Sequence, residues 1–179
     1  MQLGRCSWST LGRAVALSAL VVGILFAGAG ALGIRVNSSP SLPVGLYQVT
    51  SGADATLVEF CPAEPFASLA NARGYRQAGT CPDGGSPLMK PVVARAGDSV
   101  QVSARGILVN GKAIANSAPL LRDTAGRPLT SWPSGKYTVD LGTVWVVSDY
   151  HPRSFDSRYF GPVSEVLIRS RLRPLLVLR

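Results

Sequence analysis

The chain has 179 residues, of which 46% are hydrophobic and 16% charged, with a formal net charge of +8. That length suits one substantial core and is too short for two. Its basic residues are spread out, with no helix-spaced cluster and no aromatic ribonucleoprotein pattern; this argues against a nucleic-acid partner and leaves attraction to anionic lipid, worth about 1 kcal/mol per basic residue near a bilayer, as the simpler use.

Residues 1–13 precede Ala14 to Ile34, AVALSALVVGILFAGAGALGI, which holds no charge across 21 residues. As a helix it is long enough to cross a hydrocarbon core about 30 Å thick, so it reads as a transmembrane anchor. A cleaved secretory leader is the alternative, because Arg5 and Arg13 precede the run and Ala27-Gly28-Ala29 offers small residues of the kind found before a cleavage site. The run exceeds the usual apolar region of such a leader, which favours a retained anchor. Arg5, Arg13 and the terminal amine outnumber Arg35 across the run, which places residues 1–13 in the cytoplasm and residues 35–179 on the far side.

Cys61 and Cys81 then lie in the exported part, where they are a candidate disulfide; two unpaired buried thiols are the other reading, and Cys6 stays reduced in the cytoplasm. With a single histidine and no close cysteine pair, neither a metal site nor a cofactor is expected.

Beyond the apolar run comes Asn37-Ser38-Ser39-Pro40-Ser41-Leu42-Pro43. A serine between two prolines cannot occupy a helix interior, so Ser41 is expected on a stiff, extended loop. Strands are expected at Gly45 to Thr50 and Thr56 to Cys61, separated by a Ser51-Gly52-Ala53-Asp54 turn. Phe66, Leu69 and Ala70 have helical spacing, which predicts a short helix in the excursion between the two cysteines. Leu88 to Arg95 reads as a strand that puts Lys90 on the same apolar face as Leu88 and Val92.

Gly97-Asp98 turns into a strand at Ser99 to Ser103, and Gly106 to Asn110 leads through Asn110-Gly111 into Lys112 to Ala115, a tight-hairpin signal. Ala118 to Pro133 reads as irregular surface chain. Strands resume at Lys136 to Val139 and at Thr143 to Ser148, whose run Val144-Trp145-Val146-Val147 suits a buried position. A last strand is expected from Val166 to Arg173, with Arg169, Arg171 and Arg173 on a solvated side.

A serine hydroxyl becomes a nucleophile only when a neighbouring base takes its proton, and histidine or neutral lysine usually does so. Lys90 is one of three lysines. To serve as a base near neutral pH its charge must be disfavoured by about 4.6 kcal/mol, which burial can supply. The competing reading is a strand lysine whose head reaches water. His151, among Asp149, Tyr150, Pro152 and Arg153, ranks below Lys90 because its loop is expected to be exposed.

Four boxes stand in order: Ser41-Leu42-Pro43-Val44-Gly45-Leu46-Tyr47 after the apolar run, Met89-Lys90 with Val92-Val93 and Gly97-Asp98, Val109-Asn110-Gly111, and Ser154-Phe155-Asp156-Ser157-Arg158 closing with Gly161. Together they resemble the type I signal peptidases, which are serine-lysine peptidases, and more closely their branch of conjugative-transfer peptidases, the TraF-like pilin-processing enzymes. The short Ser-x-Pro-x-Gly form favours that branch. Pro91 stands where an arginine often follows the lysine, and Ser148-Asp149-Tyr150 replaces Gly-Asp-Asn.

The resemblance implies a mainly β fold, an antiparallel β-sheet signal-peptidase-like catalytic domain behind one N-terminal transmembrane helix in a bacterial inner membrane. By carry-over Ser41 is the nucleophile, Lys90 the general base, and Ser39 with the Ser41 N–H the oxyanion hole. Ser154 would orient the lysine, and Asp156 with Arg158 would form a bracing ion pair. Ser39 bonding only its own loop and Ser154 capping a turn are the structural alternatives. The implied partner is a membrane-embedded, pilin-like precursor with small residues before the scissile bond, processed in the periplasm through an acyl-enzyme and resolved by water or by the product's own amine into a ring. A non-catalytic anchored scaffold of a conjugation or secretion system is the competing function.

Overall fold

The computed structural model describes residues 8–52 and 55–178, so Arg5, Cys6 and the Ala53-Asp54 part of the expected turn lie outside the described residues. The chain divides into two units, Met1–Arg35 and Val36–Arg179. The first holds helix α1 (Trp8–Ala31). It stops three residues short of the expected Ile34, because Leu32 and Gly33 close it as a turn, their N–H groups bonding back to Gly28 O and Gly30 O at 3.0 Å each. Among the described residues no helix is long and apolar enough to cross a membrane.

Strand β1 (Ile34–Asn37) was not anticipated, and the chain then passes through the Ser41 turn into β2 (Gly45–Thr50) and β3 (Leu57–Phe60). Helix α2 (Phe66–Ala72) follows where the spacing predicted it, burying Ala67 and Ala70. Next come β4 (Leu88–Arg95), β5 (Ser99–Ser103), β6 (Gly106–Val109) and β7 (Lys112–Ala113). Irregular chain leads to β8 (Gly135–Thr138) and β9 (Thr143–Val146). The short helix α3 (Ser157–Phe160), strand β10 (Val163–Ser164) and a 3-10 turn at Glu165–Leu167 precede β11 (Ile168–Val177).

The last strand differs from expectation at both ends. Glu165–Leu167 turns instead of extending, and β11 runs four residues past Arg173, through Pro174. The proline is accommodated because the ladder to β2 shifts register between Pro174 and Leu176. Of the expected solvated arginines, Arg169 and Arg173 are exposed, whereas Arg171 is half-buried.

The strands form a seven-stranded sheet in the order β1-β2-β11-β3-β4-β9-β10 and a four-stranded sheet in the order β7-β6-β5-β8. The pairings from β11 through β10 and within the smaller sheet are antiparallel. The mainly β, antiparallel expectation holds.

Strand β9 is buried on both faces, which explains its unbroken apolar run. Val144 and Val146 join Val58, Phe60, Ala70, Phe155, Tyr159 and Phe160 in one core. Trp145 and Val147 join Ala94, Val100, Val102 and Ile107 in a second core beneath the smaller sheet. Leu42, Tyr47, Leu57 and Leu172 form a third. The β6–β7 hairpin turns on Asn110 (φ 49) and Gly111 (φ 79), the two positive angles that a tight hairpin turn of this kind demands.

Pro91 sits mid-strand in β4, opposite Leu57 of β3. Its carbonyl accepts from Val147 N at 3.1 Å, just beyond the end of β9. The missing proline N–H lies on the same side as that carbonyl, so the ladder to β3 is untouched and the one donor lost falls where the β4–β9 ladder ends. The Cys61–Cys81 disulfide is formed, with Cα atoms 5.7 Å apart, and it closes the excursion containing α2.

Candidate active site

The Ser41 turn is folded by an asparagine. Asn37 Nδ2 donates to the carbonyls of Ser39, Leu42 and Pro43 at 2.9, 3.1 and 3.1 Å, and its Oδ1 accepts from Ser39 N at 3.1 Å. These bonds gather the loop around one side chain, so Pro40 and Ser41 form a turn where the two prolines alone predicted an extended backbone. Tyr47 OH donates to Pro43 O at 2.6 Å and ties the turn to β2.

Strand β4 brings the amine to this turn. Lys90 is 4% exposed and Ser41 7%, and Lys90 Nζ lies 2.7 Å from Ser41 Oγ. The competing reading, a lysine whose head reaches water, is not what forms: the side chain is buried, with Val58 opposite it on β3. Burial pushes the Lys90 amine down to about 8, opposed by the Asp156 carboxylate and aided by the Arg158 guanidinium.

Ser39 Oγ lies 3.0 Å from Ser41 Oγ and accepts from Ser41 N at 3.3 Å. The Ser41 N–H is aimed at Ser39 Oγ, so both groups sit beside the nucleophile without converging on one point; turning the Ser39 side chain away would free both as oxyanion donors.

Asp156 and Arg158 are both fully buried and form a two-pronged ion pair, Nε to Oδ1 at 2.7 Å and NH2 to Oδ2 at 3.0 Å. Asp156 also caps α3 by accepting from Arg158 N at 3.2 Å. Arg158 donates to the carbonyls of Asn116, Pro152 and Ser148 at 2.7, 3.0 and 2.9 Å. Ser157 Oγ accepts from Val146 N at 2.9 Å, fixing the box against β9.

One expectation is not met. Ser154 Oγ is buried without a hydrogen-bond partner, so the bond to the Lys90 amine implied by the resemblance is not made. The amine's proton or lone pair is instead directed at Ser41 Oγ. His151 is half-buried in its own loop, where its Nδ1 accepts from Arg153 N at 3.1 Å.

Two residues with a place in the site were missed. Asn37 carried a readable signal, since asparagine near Ser and Pro commonly organises a turn. Ser148 stood out only as the residue in place of a glycine in the Gly-Asp-Asn box, and nothing local foretold its contact: its Oγ donates to Ser41 O at 2.5 Å across 107 positions of sequence. Among the described residues no group of three or more His, Cys, Asp or Glu side chains converges as a metal site.

Residues 7–175 match the family described as signal peptidase, peptidase S26. The chain belongs to that family. Within it, the plasmid transfer protein TraF of Escherichia coli is 39% identical over 165 residues, covering 90% of this chain and 93% of the relative. The conjugal transfer protein TraF of Agrobacterium fabrum is 33% identical over 164 residues, covering 87% and 91%. A probable conjugal transfer protein TraF of Sinorhizobium fredii is 40% identical over 136 residues, covering 73% and 70%. These likenesses place the chain in the TraF-like branch of the type I signal peptidases. The crystal structure of a signal peptidase I from Enterococcus faecalis matches 70% of this chain and all of its own, at 19% identity and a TM-score of 0.38.

Proposed function

We propose that the protein is a membrane-anchored serine endopeptidase of the bacterial inner membrane that matures an exported, pilin-like precursor on the periplasmic side. The observation that carries this reading is the 2.7 Å contact between a buried serine hydroxyl and a buried lysine amine whose charge is disfavoured. In its neutral form Lys90 takes the proton of Ser41 as Ser41 Oγ attacks the scissile carbonyl. The Ser41 N–H and the Ser39 hydroxyl hold the oxyanion, and each such donor typically contributes about 2.7 to 4 kcal/mol. Lys90 then protonates the leaving amine. The ester left on Ser41 is resolved by water to a linear product, or by the product's own amino terminus to a ring.

Anchoring rests on the sequence alone, on the uncharged run from Ala14 to Ile34 and the arginines before it, since among the described residues no helix meets the length and apolarity of a span. It would keep Ser41, seven residues further along the chain, near a bond just outside a substrate's own span. The family resemblance suggests a small side chain before that bond, and relatives named for plasmid and conjugal transfer support a precursor of conjugation. Carbonate extraction of membranes tests the anchor: the full chain stays in the pellet, and release into the supernatant removes the anchored reading.

Substituting Ser41→Ala or Lys90→Ala is expected to leave the precursor unprocessed while the variants remain folded by circular dichroism. Normal maturation in both would leave a scaffold without catalysis. A His151→Ala variant processes like the parent protein. Mass spectrometry of the matured product separates the two fates of the acyl group, since the ring is one water lighter than the linear chain.

A further inference from the structure

Ser148 is fully buried just beyond the end of β9, and each of its polar groups is engaged. Its N–H donates to Asp156 Oδ2 at 3.0 Å and its carbonyl accepts from Arg158 NH2 at 2.9 Å. Its hydroxyl donates to Ser41 O at 2.5 Å and accepts from Tyr150 N at 3.2 Å. The buried ion pair therefore grips the backbone of Ser148 from both sides, and the side chain of Ser148 grips the backbone of the nucleophile. Asp156 and Arg158 make no hydrogen bond to Ser41 or to Lys90. Next door, Val147 N donates to Pro91 O, one residue from Lys90. Ser148 thus stands where the turn bearing the hydroxyl meets the sheet bearing the amine.

We infer that Ser148 is a positioning residue, which sets the Ser41 backbone relative to Lys90 and carries the rigidity of the Asp156–Arg158 pair to the nucleophile. This rests on the serine-lysine reading above. Without the Ser148 hydroxyl, the Ser41 backbone is held only by its own loop, through Asn37 and Tyr47, and the one bond from outside that remains is the Lys90 contact to Ser41 Oγ, whose geometry is the thing to be set. Rotation of the Ser41 carbonyl would swing its Cβ–Oγ bond away from Nζ, and displacements near 1 Å can slow a reaction by about 100-fold. The ordinary structural role for a buried serine would instead show as lost stability with the chemistry unchanged.

The test uses the full chain in detergent with p-nitrophenyl acetate, an acyl donor that needs a nucleophile but no peptide cleft. The burst of nitrophenolate reports acylation, and it is expected in the parent protein and absent from Ser41→Ala. Ser148→Ala should slow the burst by about 10- to 100-fold. The pH at which the burst rate is half-maximal should stay where it is in the parent, because the burial of Lys90 is untouched. Ser148→Cys, close in size and a weaker donor, should fall between the two and covers the case in which the alanine variant fails to fold. A Ser41-dependent burst that is equally fast in Ser148→Ala and Ser148→Cys would overturn the positioning role alone. So would a slow burst that recovers fully on raising the pH, since Ser148 would then be acting on the lysine. No Ser41-dependent burst in the parent would remove the serine-lysine reading and this role with it.

Discussion

A lysine amine deprived of water gives up its proton early, and that has opposite consequences for reaction and for stability. Lys90 holds its proton below about pH 8, so the reactive neutral amine is a minority at pH 7. Turnover should rise with pH and level off above a midpoint near 8, measured as kcat/KM on a peptide substrate; a midpoint near 6.5 would point to imidazole instead. The same burial costs stability. The folded state binds this proton less tightly than the unfolded chain, whose lysine titrates near 10.5. Below about pH 8 the penalty is therefore complete, at about 3 kcal/mol, and it shrinks as the pH climbs towards 10.5. Lys90→Met should be the more stable protein at pH 7 by about 2 kcal/mol, once about 1 kcal/mol is taken off for the lost bond to Ser41. Urea unfolding should show that advantage fading between pH 8 and pH 10. The sequence could state the condition for Lys90, an apolar strand face, but not its fulfilment, since the facing Val58 and Ser41 are set by pairing and not by local pattern.

Among the elements, the Ser154-to-Arg158 box and the start of β2 matter most to the site. Removing one partner of a buried ion pair leaves the other charge in a dry interior. Asp156→Asn should therefore cost about 3 to 5 kcal/mol by chemical denaturation, a loss well beyond that of an exposed pair. Gly45 opens β2 with φ +153, and a Cβ there would lie 2.2 Å from Leu176 O of β11. Gly111 also has positive φ, but a Cβ there meets nothing within 4 Å. Gly111→Ala should cost about 1 kcal/mol of strain, while Gly45→Ala should cost at least about 2 and loosen the β2–β11 ladder, seen as faster amide exchange at Leu46 and Leu178. The hairpin at Asn110-Gly111 was legible because a two-residue turn is a local matter. The path of β11 through Pro174 was not, because only its partner β2 decides whether a register shift can absorb a proline.

At the scale of the whole domain, the excursion that carries α2 is closed by Cys61–Cys81, 20 positions apart. Cross-linking a loop of that length restricts the unfolded chain by about 3 kcal/mol. Unfolding with and without dithiothreitol should differ by that amount, and no difference would mean that the reduced excursion stays ordered by other bonds, such as Arg76 to Asp83 at 2.6 Å. The antiparallel β class, the helix after Cys61 and the order of the boxes could all be read along the chain, since each depends on neighbours within a few residues. The meeting of Ser148 with Ser41, and the silence of Ser154, depend on how the sheet brings distant segments together.

The sheet order has one more result. Strand β11 lies between β2 and β3 yet follows both in the chain. Until β11 is made, β2, which follows the Ser41 turn, and β3–β4, which bear Lys90, have no common ladder to align them. The meeting of hydroxyl and amine therefore depends on Ile168–Val177, far along the chain from both. This late strand acts as a key that arrives after the lock has been built.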